Sequence, residues 1–496
     1  MMTSPPPPPP LSRCNALELS TVTKRGKVRN LSIYLLLKVV LLSKRGKKHG
    51  LVAYGMDRLP DEILIVILSC LNLKEAVRTS IISRRWRYLW RFTSCSLELL
   101  NQWNGNPGTW VEPTVFLSWV DQVVKLHQGP SVDKFIVHCH GITDESPNRI
   151  CDWIRFAMEK EVKVFELGIS CHDFPDLNKF LSISREVKPS MDRIGLTSLT
   201  SLRLVHVNIK DEMIEYLLSS CRHLEHLCIK FDNYMKKLNV LSPSLKSLSI
   251  VYCRKLKSLT ISAANLLSFV YGEASITPVL KLQLQNVPLL SELQLRGPHC
   301  GSFLFQHSEH SKYSQQLQRL VLNVPMLDVV SAPRYDHSLF GLPQLRCLKQ
   351  LDLILHARAG ESFLFFVLLT TACPFLSSLG VMMFYDWLAS KEAIATGLRR
   401  YNRAKADLTA HGHPCLKVIK LINFAGYRSD FRFALALLQI AKSLEKIIIK
   451  PGPGFLGAER IATVRERAKQ LEANLPQGAE LLIVSDLQIG SGLRGL

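Results

Sequence analysis

Large aliphatic residues recur along most of the chain in one spacing, L-x-x-L-x-L, with Ile or Val in place of some later leucines. Ten copies occur, and they begin at Leu199, Leu224, Leu245, Leu256, Leu290, Leu317, Leu348, Leu376, Leu416 and Leu444. The alternation of apolar and polar positions predicts a strand with one buried face. A strand followed by a return segment predicts one coil of a solenoid, so the pattern predicts a repeat fold.

The separation of the copies predicts what each return segment contains. Copies that begin 25 to 40 residues apart leave room for a helix, and we expect helices at 210–220, 361–372 and 432–442. Between residues 245 and 295 the copies follow at about 10–14 residues, which is too short for a helix. In that stretch we expect strands on both faces of the solenoid.

Elements on both sides of the ten copies extend the pattern. Before them, apolar periodicity predicts alternating helices and strands, at 114–126, 132–138, 149–160 and 164–169. This alternation is typical of βα units in a parallel sheet. A polar insertion lies at 390–412, and after the last copy we expect a helix at about 457–473 and a strand at 480–484.

The segment that begins near residue 56 predicts three short helices. Pro60 suits a first helical position. An apolar stripe at i, i+4 spacing follows, with two further leucines beside it: Ile63, Ile67 and Leu71, then Leu64 and Leu68. So small a unit makes a poor independent core. Such a unit usually buries its surplus apolar face against something else.

The last of these helices lies in the run TSIISRRWRYLWRF (79–92), where Trp86, Tyr88 and Trp90 stand among four arginines. A basic aromatic run is compatible with nucleic-acid binding, and also with a helix that packs tryptophan into a partner protein. No glycine-rich, sheet-borne or groove-fitting context surrounds it, which argues against nucleic acid.

Four stretches carry a resemblance to a known family. Residues 59–90, LPDEILIVILSCLNLKEAVRTSIISRRWRYLW, resemble an F-box of the large plant type, with the Leu-Pro start and the Arg-Arg-Trp end in the expected order. NLLSFVYGE (265–273) and VPLLSELQL (287–295) resemble the irregular leucine-rich repeats of plant F-box proteins. Residues 413–451, which begin HPCLKVIKL, resemble the FBD segment that ends many of these proteins.

Pattern and resemblance together predict an α/β fold. We expect a short N-terminal three-helix F-box, followed by an irregular leucine-rich-repeat solenoid with a capping C-terminal segment. The expected divisions are a basic extension that is disordered or not native (1–55), the F-box (56–100), a linker with the first α/β units (101–195), the leucine-rich repeats (196–400) and the FBD-like cap (401–496).

The resemblance implies a partner for the helical segment, the Skp-type adaptor of a cullin ubiquitin ligase. It implies adaptor contacts from the Leu-Pro start, an apolar helix face and a tryptophan-centred anchor: Leu59, Pro60, Ile63, Leu64, Ile67, Leu68, Trp86, Leu89 and Trp90. Tryptophan anchors with an arginine rim are typical of protein interfaces. We therefore interpret four side chains as a solvated or acid-pairing rim: Arg84, Arg85, Arg87 and Arg91.

The resemblance also implies that the repeat face binds a target protein. In such complexes the ubiquitin chemistry belongs to other subunits. We therefore expect a non-catalytic chain without a cofactor, which brings a target close to the transferring enzyme. The identity of the target is not readable from one sequence.

Composition changes this picture little. The net charge is +21, but residues 1–55 hold ten Lys/Arg and a single acid, so much of the basicity lies there. The apolar run at 31–42 is interrupted by Lys38 and is too short to span a bilayer. The chain has 13 cysteines, without a CxxC pair. This usage predicts a reduced intracellular protein, in the nucleus, the cytoplasm or both.

Candidate chemistry is sparse. CRHLEHLC (221–228) places four possible zinc ligands within eight residues, but two repeat leucines interrupt them and the four need not converge. HCH (138–140) and HGHPC (411–415) have no second half. GPGFLG (452–457) lacks the lysine of a phosphate-binding loop. We expect neither a metal site nor a catalytic one.

Three other functions stay open at this point. A small-molecule sensor, with an inositol phosphate beneath its pocket, would need basic residues that converge on the repeat face, and here Lys and Arg are scattered. A nucleic-acid-binding protein would show steep salt dependence. A non-degradative scaffold, in which the F-box pairs without ligase assembly, is hard to separate from the first interpretation by sequence.

Overall fold

The computed structural model describes residues 59–81, 84–94, 96–101, 111–142, 147–171, 197–207, 211–273, 280–305, 314–324, 344–358, 363–386, 412–452 and 458–484. The chain forms two compact units, Met1–Glu98 with Lys125–Val132, and Leu99–Val124 with Asp133–Leu496. The predicted basic extension and nearly all of the predicted polar insertion lie outside the described residues.

The first unit is built from short helices. They are α1 (Asp61–Ser69), α2 (Leu73–Arg78) and α3 (Trp86–Leu89), with 3₁₀ turns at Thr79–Ile81 and Trp90–Phe92. A reciprocal cap starts α2, because the Asn72 side chain accepts the Glu75 N–H at 2.9 Å and the Glu75 carboxylate accepts the Asn72 N–H. This capping box satisfies two N–H groups that the first helical turn leaves without partners.

The core of the first unit is formed by leucine and tryptophan. Its buried side chains are Leu64, Leu68, Leu71, Leu73, Ala76, Trp86, Leu89 and Trp90. Residues 127–129 are tied to the last 3₁₀ turn, since Gln128 and Gly129 donate their N–H groups to the Arg91 carbonyl oxygen. Burial of each large apolar side chain stabilises such a unit by roughly 1.5–3 kcal/mol.

The second unit contains the repeats. Its strands are β1 (Leu97–Asn101), β2 (Lys134–Ile142), β3 (Val164–Cys171), β4 (Ser201–Val205), β5 (His226–Lys230), β6 (Lys237–Leu241), β7 (Ser247–Val251), β8 (Ser258–Ser262), β9 (Ser268–Gly272), β10 (Lys281–Leu284), β11 (Glu292–Arg296), β12 (Arg319–Val324), β13 (Gln350–Arg358), β14 (Ser378–Asp386), β15 (Val418–Phe424), β16 (Lys446–Pro451) and β17 (Glu480–Ile483). Its helices are α4 (Pro113–Leu126), α5 (Pro147–Glu159), α6 (Asp211–Ser220), α7 (His299–Phe305), α8 (Leu364–Thr371), α9 (Arg428–Ile440) and α10 (Ala458–Lys469).

Fourteen strands form one long sheet in the order β1-β2-β3-β4-β5-β7-β9-β11-β12-β13-β14-β15-β16-β17. The neighbours from β2 to β17 pair in parallel. Strands β6, β8 and β10 form a second, three-stranded parallel sheet. Where β5 to β11 lie, the chain therefore alternates between the two sheets.

The repeat leucines lie in register across the long sheet. Leu227 pairs with Leu202 on one side and with Leu248 on the other, and the row continues through Phe269 and Leu293. All five side chains are buried between the long sheet and the layer behind it. Helices and the short sheet supply that layer; α6 packs against β6, α8 against α9, and α10 against β16 and β17.

The expected fold class is confirmed. Each of the ten L-x-x-L-x-L copies leads into a strand, and strands occur on both faces of the solenoid between β5 and β11, as the short spacing predicted. The FBD-like segment, 413–451, continues the long sheet as β15, α9 and β16. Four elements were not predicted: β1, β6, β10 and α7. Within the described ranges, no helix has the length and apolar character needed to cross a membrane.

Candidate protein-interaction surfaces

Helix α1 has two apolar faces. Leu64 and Leu68 point into the core of the first unit and are fully buried. Ile63 is 47% exposed and Val66 is 62% exposed, and both lie on the opposite side of the helix. An isolated small unit gains nothing from a solvated apolar helix face, and such faces mark interaction surfaces.

The exposed apolar side chains extend beyond α1. Tyr88 and Phe92 are 49% and 40% exposed. They lie on a different side of this segment from Trp86, Leu89 and Trp90, which are buried. The Arg91 guanidinium lies over the Tyr88 ring, with 4.7 Å between its Cζ and the ring centroid. We call Ile63, Val66, Tyr88 and Phe92 the exposed apolar set of the first unit.

The predicted adaptor-binding residues divide into two groups. Five of them form the core of the first unit: Leu64, Leu68, Trp86, Leu89 and Trp90. The other four are partly or largely exposed, and so can reach a partner directly: Leu59, Pro60, Ile63 and Ile67. The predicted interface role of all nine stays a prediction. Val66, Tyr88 and Phe92 were missed, although the i, i+3 spacing of Ile63 and Val66 on one helix face was a readable signal.

The arginines of the first unit have different environments. The Arg85 guanidinium pairs with the Asp61 carboxylate at 2.5 Å and links the start of α1 to the start of α3. Arg84 and Arg87 are exposed, and Arg91 stacks on Tyr88 as described above. Arg85 is therefore acid-paired and Arg84 and Arg87 are solvated, as the sequence indicated, whereas Arg91 is half-buried against Tyr88. The role of these arginines as an interface rim stays a prediction.

The second unit presents one face of the long sheet to solvent. On β7 and β9 this face carries only small or aliphatic side chains: Ser247, Ser249 and Val251, then Ser268, Val270 and Gly272. Val251 and Gly272 are buried and the other four are half-buried. Larger polar side chains flank them on β5 and β11, including Lys230 and Arg296. Across these four strands the face therefore has short side chains in the middle, on β7 and β9, and longer charged side chains at the two flanks, on β5 and β11.

Charged pairs occupy two places on this face. Glu166 lies between His138 and Arg203, with its Oε2 atom 3.3 Å from His138 Nε2 and 3.8 Å from Arg203 Nε. The contact with the His138 ring holds the pKa of the Glu166 carboxyl below its ordinary value of 4.5, although burial opposes this effect. Further along, the buried Asp352 carboxylate accepts from Arg319 at 3.3 Å and from the Gln350 amide at 2.7 Å.

Metal binding and thiol chemistry find no support in the described part of the chain. No group of three or more His, Cys, Asp or Glu side chains is placed there to hold a metal ion. In the CRHLEHLC run, Cys221 is buried whereas His223 and His226 are exposed. Burial raises the pKa of the Cys221 thiol to about 11, which disfavours the thiolate that a metal ion requires.

A separate helical unit with an exposed apolar face, followed by parallel repeats, defines an interaction protein of the repeat class. Comparison with protein families agrees with this class. Residues 123–468 match the "At1g61320/AtMIF1, LRR domain" family, and residues 56–94 match the F-box domain. The chain belongs to the plant F-box/leucine-rich-repeat proteins.

Individual relatives from Arabidopsis thaliana carry the same features in their names. F-box/LRR-repeat protein At3g03360 is 32% identical over 216 residues, which cover 39% of this chain and 42% of the relative. FBD-associated F-box protein At5g38590 is 30% identical over 211 residues, 39% of this chain and 49% of the relative. The chain spans about half the length of the curated relatives it matches.

Proposed function

We propose that this protein is the substrate-recognition subunit of a Skp-cullin-F-box ubiquitin ligase. The first unit docks a Skp-type adaptor, which links it to a cullin, and the exposed face of the long sheet binds a target protein. The proposal includes no catalytic residue and no cofactor in this chain. Its contribution to the reaction is proximity, since a tethered target reaches the transferring enzyme at a high effective concentration.

The observation that carries the proposal is the second apolar face of α1. Ile63 and Val66 are large, apolar and exposed, while the leucines on the other side of the same helix already complete the core. Tyr88 and Phe92 add aromatic side chains, which are enriched at the centres of protein interfaces. A surface of this kind is stabilised when a partner removes it from water.

The test is direct binding between the full chain and a purified plant Skp-type adaptor, measured by isothermal titration calorimetry. We expect Ile63→Glu combined with Val66→Glu to weaken binding by at least about a hundredfold, because two charges would be buried without partners. Leu241→Glu is the matched control, since Leu241 is an equally large aliphatic side chain that is 67% exposed on β6. This control should bind as the wild type does.

Two results would contradict the proposal. The folded wild-type chain could fail to bind any adaptor, or the Ile63/Val66 variant could bind with unchanged affinity. Reconstitution with adaptor, cullin and the transferring enzymes then tests the ligase assembly, by ubiquitination of proteins captured on the repeat face. A chain that binds the adaptor but never enters a cullin complex would be a scaffold.

We further propose that the protein acts inside the cell, in the nucleus, the cytoplasm or both. The nine cysteines whose side chains are described are all free thiols, a usage that is typical of reducing compartments. Imaging of the full chain, tagged at its C-terminus in plant cells, is the test. Accumulation in the secretory pathway would contradict this assignment.

A further inference from the structure

Planar side chains form a continuous row where the strands of the long sheet end. His206 follows β4, Phe231 follows β5 and Tyr252 follows β7, each at the first position after its strand. The ring centroids of His206 and Phe231 are 4.3 Å apart and those of Phe231 and Tyr252 are 4.8 Å apart, with nearly parallel planes. The Arg296 guanidinium continues the row, 4.8 Å from the Tyr252 centroid. We call these four residues the ring ladder.

A glycine makes the last step of the ring ladder possible. Strand β9 lies between β7, which precedes Tyr252, and β11, which carries Arg296. The residue of β9 in register with Arg296 is Gly272, and a Cβ atom added there would lie 2.9 Å from the Arg296 Cβ. The missing side chain leaves the space through which Arg296 crosses β9 to reach Tyr252.

The backbone at these positions favours glycine, yet three of them carry rings. His206, Phe231 and Tyr252 have positive φ angles of 56°, 59° and 61°. The corresponding position after β11 is Gly297, with φ of 84°. A left-handed conformation costs free energy for any residue with a Cβ atom. Three successive coils therefore keep a ring where glycine would be less strained, as expected if the rings have a role of their own.

The side chains around the ring ladder give it a positive charge. Lys230 ends β5, and Lys255 lies 5.2 Å from the Tyr234 ring centroid. Within the described residues, no carboxylate forms an ion pair with Lys230, Lys255 or Arg296. Two nearby carboxylates face inward. Asp232 accepts the N–H groups of Tyr234 and Met235, and the buried Glu273 accepts the Tyr271 hydroxyl.

Two of the rings already have both faces covered. This decides between two kinds of anionic partner, a nucleic acid and a peptide with carboxylate side chains. Phe231 is stacked on both sides, by His206 and Tyr252, and Tyr252 is covered by Phe231 and Arg296. Nucleic-acid bases need free aromatic faces for stacking. The edges of aromatic rings, by contrast, carry partial positive charge and favour carboxylate oxygens. The ring ladder therefore fits carboxylates better than bases.

The spacing of the cations fits an extended peptide. Lys230 and Arg296 belong to one row across the sheet, separated by the buried residues Val251 and Gly272. Three strand spacings of about 4.8 Å separate their Cα atoms by about 14 Å. The Arg296 guanidinium reaches back over β9 to Tyr252, which brings its charge about one strand spacing closer to β5, and the flexible Lys230 side chain is free to extend the other way. An extended chain rises by about 3.4 Å per residue, so carboxylates at positions i and i+4 of a peptide that crosses the strands are spaced to meet both cations.

We propose that the ring ladder, with Lys230 and Lys255, is the docking site for an acidic, extended segment of the target protein. This inference rests on the proposed function, in which the exposed face of the repeats selects the target. It adds the chemistry of the target: two carboxylate side chains on the same face of an extended segment, about four residues apart.

The test titrates the full chain with fluorescein-labelled peptides and measures fluorescence anisotropy at low and at physiological salt. The first peptide carries aspartates at i and i+4 in a Ser/Thr background. Its controls are an isomer with adjacent aspartates and a version with asparagines. We expect the i, i+4 peptide to bind about tenfold more tightly than either control, and to weaken as salt rises.

Substitutions in the chain locate the binding site. Arg296→Gln and Lys230→Gln should each weaken the i, i+4 peptide about tenfold, since each removes one charge-assisted contact. Lys450→Gln is the matched control, because Lys450 is a half-buried lysine in the same cross-strand row as Arg296, on β16. It should leave the affinity unchanged. Tyr252→Phe keeps the ring and should retain binding, whereas Tyr252→Ser removes the platform for Arg296 and should weaken it.

Several results would overturn the inference. The proposal of an acidic partner would be wrong if the asparagine peptide bound as tightly as the aspartate peptide. It would also be wrong if Lys450→Gln lost as much affinity as Lys230→Gln, or if the folded chain did not bind the aspartate peptide at all. Tighter binding of an oligothymidylate of the same length would assign the ring ladder to nucleic acid. Adaptor binding, measured on the same preparation, separates this failure from failure of the proposed function. A chain that binds the adaptor but not the peptide retains its ligase role and loses only the ring-ladder site.

Discussion

The Tyr385 hydroxyl donates a hydrogen bond to the Asp430 carboxylate, and this contact joins β14 to the first turn of α9. Asp430 is itself fully buried and also accepts the N–H groups of Ala425 and Tyr427, at 3.1 and 3.2 Å, and the Ser429 hydroxyl. Burial raises the pKa of the Asp430 carboxyl, although these hydrogen bonds oppose the effect. The pair links the repeats to the FBD-like segment.

Replacement of Tyr385 by phenylalanine should destabilise the second unit. The variant removes one of two hydroxyl donors to the Oδ1 atom of the buried Asp430, since Ser429 donates to the same oxygen at 3.2 Å, and we expect a loss of about 1–3 kcal/mol in the free energy of unfolding. Urea denaturation, followed by far-UV circular dichroism, measures the change. Tyr234→Phe is the control, since Tyr234 is 40% exposed and should tolerate loss of its hydroxyl. Equal stability of both variants would show that the Tyr385 hydroxyl is dispensable.

The Glu166 carboxylate should make stability depend on pH in the acid range. Its folded pKa lies below the ordinary value of 4.5 because of the contact with the His138 ring, so the folded state favours the ionised form. The contribution is therefore complete above about pH 4.5 and is lost as the pH falls through the lowered folded pKa. We expect Glu166→Gln to be about 1 kcal/mol less stable than the wild type near neutral pH.

This difference should close as the pH falls below about 4.5, because the wild-type carboxylate becomes protonated. Urea denaturation over a pH series measures it. Glu292→Gln is the control, since Glu292 is exposed at the start of β11 and forms no ion pair within the described residues. A Glu166→Gln difference that stays constant down to low pH would contradict the linkage and indicate a loss of packing instead.

The repeat leucines could be predicted from sequence because one physical constraint fixes them. A strand with one buried face needs alternate apolar residues, and Leu202 with Leu204, or Leu351 with Leu353, satisfy this need locally. The spacing of the copies likewise decided between helix and strand on the return. Strand β6 was missed because its buried residues, Leu238 and Val240, do not follow a leucine three residues earlier.

The orientation of α1 could not be predicted in the same way. The stripe Ile63, Ile67 and Leu71 and the stripe Leu64, Leu68 and Leu71 are both apolar, so periodicity alone does not identify the buried face. The rest of the unit decides, since only the second stripe meets Trp86 and Leu89 in the core. The exposure of Ile63 is therefore a result of tertiary packing.

The ring ladder was not predicted from the sequence, for a different reason. His206, Phe231 and Tyr252 are more than twenty residues apart in sequence, and only the register of the sheet brings them together. One signal was available, because each ring stands two residues after the last apolar residue of its repeat: Leu204, Ile229 and Ile250. Alignment of the repeats on that residue would have placed the three rings in one column, in the first three copies, with glycine in the copy that ends at Leu295.

Two substitutions in the first unit should abolish adaptor binding for different reasons. Trp86 is fully buried, so Trp86→Ala should leave a cavity, lower the stability by about 3–5 kcal/mol and unfold the unit. Ile63→Glu changes an exposed side chain and should leave the unit folded. Thermal melts followed by tryptophan fluorescence separate the two cases, next to the calorimetric assay of adaptor binding.

A different outcome for Trp86→Ala would be informative. If this variant melts like the wild type and yet does not bind, Trp86 contacts the adaptor itself after a rearrangement of α3. That result would restore the role that the F-box resemblance implied for its side chain. If the variant folds and binds normally, neither the core role nor the anchor role of Trp86 holds.

Two glycines with the same backbone conformation offer a test of how rigid the coils are. Gly297 and Gly478 have φ angles of 84° and 87°. A Cβ atom at Gly297 would lie 2.2 Å from the Glu273 carbonyl oxygen, whereas a Cβ atom at Gly478 would meet nothing within 4 Å. Alanine at either position pays for the left-handed backbone, about 1–2 kcal/mol, and only Gly297→Ala adds a clash with the backbone of the neighbouring coil.

We therefore expect Gly297→Ala to destabilise the protein by at least about 1 kcal/mol more than Gly478→Ala does. The same clash displaces the strand end that carries Arg296, so the Gly297 variant should also lose affinity for the acidic peptide. The Gly478 variant should keep that affinity, because Gly478 precedes β17, several strands away. Urea denaturation and anisotropy on the same samples give both readouts. If both variants lost the same stability and peptide binding were unchanged, the backbone at residue 273 would have moved to relieve the clash. The ring ladder would then not depend on the tight turn after β11.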